Sequence, residues 1–130
     1  MSVFGSSINF VETAVLTRAD MFLVVSIVVI ALIVTSILLI FALPVLAVGI
    51  TVLLLDREFN SCVLTYLSGG DPVIFQHMFW YFGHPEVYIV ILPAFGVLSY
   101  VIIDCSYVVL FGSCGMVLAL VAIGIIGFCV

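Results

Sequence analysis

The chain has 130 residues, of which 67% are hydrophobic and 7% charged, against about 45–50% and about 25% in soluble domains; that balance excludes an ordinary soluble domain and indicates a membrane protein. Two arginines against seven acids leave a net charge of −5, with neither a basic footprint for nucleic acid nor a polybasic patch for anionic lipid headgroups. Cys62, Cys105, Cys114 and Cys129 contain no CxxC pair for zinc or redox work and read as small buried hydrophobes.

The opening MSVFGSSINFVETAVLTRAD sets one Arg against Glu12 and Asp20. That is neither the Arg-rich, acid-poor pattern of a transit peptide nor the basic start of a signal peptide, so residues 1–20 read as an N-terminal extension on a chain that an organelle could make for itself. From Met21 to Leu55 there is no formal charge. As a helix this run would span about 50 Å against a hydrocarbon core of about 30 Å, which predicts one tilted or overhanging crossing over residues 21–55. Pro44 removes a backbone bond inside it and predicts a kink or a broken end near the Leu43–Pro44 step. DREFNSCVLTYLSGGD, residues 56–71, is rich in Ser, Gly, Asn and Asp and predicts the aqueous connection.

A second crossing, residues 72–103, is expected to start at Asp71-Pro72, an acidic cap followed by proline at the first helical position, and to close at Asp104. After a short link, GSCGMVLALVAIGIIGFCV, residues 112–130, forms a third apolar run. Its small residues Gly112, Gly115, Ala119, Ala122 and Gly127 offer a surface for close approach by another helix. The expectation is an all-α membrane protein with three transmembrane helices and no internal repeat. Arg18 and Arg57 lie at opposite ends of the first crossing, so the positive-inside count is tied and gives no orientation.

FGHPEVY, residues 82–88, places polar groups inside the second crossing. An ionisable group in hydrocarbon costs about 2.5 kcal/mol or more, so it usually faces protein or water and marks a pathway or a site. Glu86 lies about 15 Å along the helix from Gln76, close to mid-bilayer. It is a proton carrier if water reaches it, or a neutral acid hydrogen-bonded to a neighbouring helix. His84 and Tyr88 share a helical face, while Glu86 turns about 200° away from His84. One face offers an imidazole that could bind a metal beside a phenol that could hydrogen-bond or supply a hydrogen atom; the other offers the carboxyl.

Pro85 cannot bond to the carbonyl of Tyr81, which leaves an acceptor for water or a partner. His77 is about 10 Å from His84 along the axis, so the two cannot hold one ion, and His77 reads as a polar residue near the interface. Trp80, one turn from His84, could wall a site or serve as a belt aromatic. The chain has two histidines, whereas a transition metal in an imidazole site usually takes three or more protein ligands. No complete metal site is expected, and from spacing alone His84 is either one ligand of a shared site or a hydrogen-bonding group.

The run GGDPVIFQHMFWYFGHPEVYIVILPAFG, residues 69–96, closely resembles the catalytic subunit I family of mitochondrial-type cytochrome c oxidases, within the haem-copper oxidases. The resemblance extends through LPVLAVGITVLLLDREFN, residues 43–60, and FGSCGMVLALVAIGIIGFCV, residues 111–130, and covers about residues 21–130. The DPVIFQH lead-in resembles the cytochrome c branch rather than the quinol branch. The resemblance implies that the three spans are the fifth, sixth and seventh helices of a twelve-helix bundle, a multi-pass protein of the mitochondrial inner membrane. It implies that His84 is one of three histidines on the copper of the oxygen-reducing centre. Tyr88 would be the tyrosine covalently linked to it, supplying an electron and a proton when the O–O bond breaks. Glu86 would be the branch-point glutamate passing protons to the oxygen site or toward the far side. Trp80 matches an aromatic beside the copper and haem site. Ser99 matches a serine near the mouth of a second proton channel, although Tyr100 stands where the family often has histidine.

The chain departs from the family pattern where it stops. In the family the seventh helix leads into a segment with two adjacent histidines, and by the resemblance this chain ends at Val130 just before it; the family's haem A ligands and the entrance to its main proton channel have no match in the chain either. The implied reading is a piece of a split subunit I that contributes one copper ligand, with haem A held by other chains. It would work with other fragments of subunit I, with the other oxidase subunits and with cytochrome c as electron donor, in membrane lipid, reducing O2 to water while pumping protons. The alternative is a decayed, structural or assembly fragment without a complete redox centre. An autonomous proton channel built on Glu86 is weaker, because the same span offers no second relay group.

Overall fold

The structure, a computed structural model, describes residues 2–16, 26–107 and 111–130. Its elements are α1 (Ser2–Leu16), α2 (Ile27–Glu58), a 3-10 turn (Tyr66–Ser68), α3 (Val73–Ser106) and α4 (Ser113–Gly127). Among the described residues there is no strand. The expected start of the first crossing at residues 21–25 lies outside the described residues, as does Arg18, half of the orientation count.

Among the described residues two helices are long and apolar enough to cross a membrane, α2 with 32 residues and α3 with 34. At 1.5 Å per residue they measure about 48 and about 51 Å. The third apolar run forms a helix of 15 residues, about 22 Å and so shorter than a hydrocarbon core of about 30 Å. The opening segment is itself helical. In α1 the hydroxyls of Ser6, Ser7 and Thr13 donate to the carbonyls of Ser2, Val3 and Asn9 one turn back, which lets a polar stretch sit inside a helix. α1 packs on α2, and among α1, α2, α3 and α4 lies an apolar cavity of about 1000 Å³, lined in part by Val15, Ile30, Ile103 and Val121.

α2 and α3 run antiparallel along a seam of small residues. A side chain at Gly49 would meet Met78 Cβ at 3.3 Å, and one at Gly96 would meet Ala31 Cβ at 3.0 Å and Val28 Cα at 3.1 Å. Ala31, Thr35, Leu38, Ala42 and Gly49 are buried on α2, at the three-and-four spacing of helices that wind on each other. Pro85, Leu92, Gly96 and Ser99 answer them on α3. Lipid tails are as apolar as leucine, so close backbone approach and van der Waals contact drive this pairing rather than escape from water. α4 closes the bundle: Leu120 joins Ile27, Ala31, Leu38 and Leu92 in the buried cluster, with Met116, Ile123 and Phe128 packed around it.

Several expected boundaries move. α2 is not broken at Pro44 but continues through it, as α3 continues through Pro85 and Pro93. A spanning backbone has no water to bond to, so the helix persists on either side of a lost bond. Asp104 does not close α3. The helix ends at Ser106, where Tyr107 turns left-handed at φ 53° and its N–H donates to Ile103 O; a backbone turn ends a helix where an exposed acid does not. At the other end Asp71 does cap, with its Oδ1 accepting from Val73 N at 2.9 Å, and Pro72 precedes the first helical residue rather than being it. All four cysteines are exposed rather than buried, because the seam takes glycine, alanine and leucine and leaves the cysteines on other faces and in the connection.

The connection is built around Asp56 in the last turn of α2. Its Oδ1 accepts from Ser61 Oγ at 2.6 Å and Val63 N at 3.1 Å, and its Oδ2 from Leu64 N at 2.7 Å. Gly70 folds back on this loop, donating to Thr65 O at 3.0 Å. A Cβ there would collide with the carbonyl oxygens of Cys62 and Val63, so the position admits only glycine.

Candidate functional site in the middle of α3

Pro85 is fully buried and lies on the α3 face turned to α2. At 100° per residue, His84 and Tyr88 then fall on one flank of that face and Glu86 on the other. α4 lies on the flank of His84 and Tyr88. Its residue there is Gly127, where an added Cβ would sit 3.2 Å from Tyr88 Cδ2 and 3.5 Å from Cε2.

His84, Tyr88 and Trp80 come together. The His84 and Tyr88 rings have centroids 4.5 Å apart and meet edge to face at 69°, while Trp80 stands 6.2 Å from His84 at a tilt of 55°. Trp80 is still 54% exposed, so it forms an open wall and not a lid. His84 Nε2 is buried without a hydrogen-bond partner. Leaving such an atom unpaired costs about 1–3 kcal/mol, and native structures keep few of them without a redox, catalytic or ligand role.

Glu86 is exposed and takes no hydrogen bond from the described residues, so its carboxyl looks out from the bundle on the side away from α4. His77 is exposed near the start of α3 and does not join His84. Ser99 is not part of the cluster either. It is buried about 16 Å farther along α3, where its hydroxyl donates to Phe95 O at 2.7 Å and lies 3.9 Å from Met116 Sδ. Tyr100 beside it is exposed.

Among the described residues no three metal-binding side chains gather, so the chemistry available to the cluster is that of one imidazole and one phenol. One imidazole has a single nitrogen to give a metal beside a bond to the phenol, so a metal here would need further ligands from outside the described residues. The chain's spacing gave no hint of the backing that α4 supplies. Gly127 is among the small residues expected to face another helix, but Gly124 is the one set against α2, where a Cβ would lie 2.8 Å from Val34 Cγ1. Gly115, also expected at such a contact, faces open space. Phe128 anchors the end of α4 between Tyr81 at 5.9 Å and Phe41 at 6.1 Å.

The chain as a whole is similar to known proteins. A chain described as "Cytochrome c oxidase subunit 1" from Mytilus edulis is 58% identical over 95 residues, 72% of this chain and 17% of that protein. Subunit 1 of Pecten maximus is 52% identical over 101 residues, 77% of this chain and 21% of the relative. That of Candida albicans is 49% identical over 96 residues, 74% and 18% respectively. The chain thus spans about a fifth of the length of the curated relatives it matches. A family model matches residues 1–130, the first twenty included. The chain belongs to the family of the cytochrome c and quinol oxidase polypeptide I.

Proposed function

We propose that this chain forms the part of a cytochrome c oxidase catalytic subunit that supplies a copper ligand, its linked tyrosine and a proton-relay glutamate to the reduction of O2 to water. The observation that carries the reading is the unpartnered, buried Nε2 of His84 next to the Tyr88 ring, in a chain of this family. An imidazole that both binds copper and is bonded to a phenol needs one nitrogen for each duty. A nitrogen sealed from water and from every hydrogen-bonding group suits the internal bond to the neighbouring ring, which leaves Nδ1 for the metal. Forming that bond removes a ring hydrogen from Tyr88 and the imidazole N–H hydrogen as two protons and two electrons, with O2 as the oxidant. Copper, when bound, supplies a site for O2 and an electron to it.

Tyr88 then holds a transferable proton and electron within reach of the reacting oxygen, and Trp80 walls the cluster. Glu86, on the opposite flank, receives protons from its own side of the bundle and passes them to the oxygen site or across the membrane. Ser99, distant from the cluster, belongs to the path by which protons arrive. The remaining copper ligands and those of haem A come from the rest of subunit I, on the same polypeptide or on other fragments. α4, with the residues around it from 112 to 130, contributes to a third crossing, and the cavity among the four helices receives further helices of a twelve-helix bundle. The complex would sit in the lipid of the mitochondrial inner membrane with its other subunits, taking electrons from cytochrome c.

The test is peptide mass spectrometry on the purified respiratory complex. The expected result is that the segments holding His84 and Tyr88 carry a mass two hydrogens below that of the unlinked residues. Recovery of the unmodified mass from a complex that turns over would overturn the assignment of both residues.

A further inference from the structure

The backing of Tyr88 carries an inference that rests on the functional reading above and deepens it. Three contacts fix α4 in place: Gly124 against Val34 on α2, the Met116 sulfur 3.9 Å from Ser99 Oγ, and Phe128 between Tyr81 and Phe41. So held, the backbone at Gly127 lies against one edge of the Tyr88 ring, while the His84 ring lies 4.5 Å away. The phenol is pinned between an imidazole on its own helix and a bare stretch of backbone on the next. A Cβ at position 127 would stand 3.2 Å from Cδ2, closer than ordinary carbon contact. The Phe128 clamp one residue on resists any rolling of α4, so the ring must be the part that yields.

We propose that Gly127 is a positioning residue for Tyr88: by lacking a side chain it sets the angle and separation of the phenol against His84. A reacting pair of this kind tolerates only a few tenths of an ångström, so the effect of a single methyl should be out of proportion to its size.

The test compares three variants in the assembled oxidase: Gly127→Ala, Gly124→Ala, which disturbs the docking of α4 without touching Tyr88, and Gly115→Ala, which faces open space. Two readouts are taken per assembled complex, the fraction of His84–Tyr88 cross-linked peptide and the tyrosine vibrational band obtained by difference from Tyr88→Phe. In Gly127→Ala the cross-linked fraction is expected to fall at least about threefold, given the steep dependence on geometry, and the band to shift. Gly124→Ala should lower the amount of complex and move both readouts less than Gly127→Ala does, and Gly115→Ala should change neither.

An unshifted band in Gly127→Ala overturns the proposal, as does an equal change in Gly124→Ala, which would mean that only helix docking matters. A wild-type complex without cross-linked peptide overturns the functional reading instead, and the band then decides the positioning role alone. If Gly127→Ala does not assemble, Phe128→Leu loosens the same turn while keeping the glycine. A band unchanged in that variant overturns the proposal too.

Discussion

Asp56 and the centre of α3 treat polar groups in opposite ways. At Asp56 both carboxylate oxygens are occupied, by one hydroxyl and two backbone N–H groups within 3.1 Å. In α3 the Nε2 of His84 is buried with no partner, and Glu86 stands without a hydrogen bond from the described residues. A polar group whose bonds are all made has spent its chemistry on holding the chain. One left unpaired remains open to a further bond, to a neighbouring ring, a ligand or a proton. Substitutions that remove an unpaired group, a packing contact and a paired group in turn should therefore have different effects.

The largest effect is expected at the phenol. Tyr88→Phe keeps the ring that packs between His84 and Gly127 and removes the hydroxyl, together with the bond to His84 that the phenol would form. Oxygen reduction by the assembled complex should then fall at least about a thousandfold, the scale seen when one member of an interdependent catalytic set is lost, with the amount of complex unchanged. Glu86→Gln should follow, slowing turnover by about 10²–10⁴-fold as expected for loss of a positioned proton donor or acceptor, with metal content at the wild-type level. Unchanged turnover and unchanged proton pumping in Glu86→Gln would remove the relay role. Both variants should leave thermal stability alone, because neither group helps to hold the fold.

The seam predicts the reverse pattern. At Gly96 the atoms in the way are Ala31 Cβ and the Val28 backbone, neither of which can swing aside, so Gly96→Ala must push α2 and α3 apart. Overpacking of this kind costs about 1–3 kcal/mol, which should appear as earlier detergent-induced unfolding and less assembled complex. Turnover per complex should remain within a small factor of wild type.

Hydropathy alone located α2 and α3, because a run of more than thirty apolar residues has few other fates. The pattern at residues 82–88 also located the cluster, since an i, i+4 pair meets on any helix. What stayed hidden was decided by contacts between helices. No property of the local sequence distinguishes Gly115, which faces open space, from Gly127, which lies against Tyr88. The end of α3 was misplaced because Asp104 looks like a stop, whereas Tyr107, with no glycine or asparagine to announce it, takes the left-handed turn. Pro44, Pro85 and Pro93 carry the usual breaker signal and break nothing, since two long helices packed side by side have no better place for their backbone.

The smallest effect is expected at Asp56, and it tests the other half of the comparison. Asn has nearly the same shape but one acceptor oxygen where Asp has two. If its oxygen keeps Ser61 and Val63, its NH2 faces the Leu64 N–H; if it turns to serve Leu64, its NH2 faces the Val63 N–H. Either way one backbone donor loses its acceptor, while Gly70 and Asp71 still close the loop through Thr65 O and Val63 O. Asp56→Asn should therefore speed hydrogen exchange in residues 59–72 and leave exchange in α2 and α3, and turnover, as they were. A fall in turnover without any change in loop exchange would mean that a fully bonded carboxylate had been serving chemistry after all, and bond satisfaction would no longer separate structural from reactive groups in this chain.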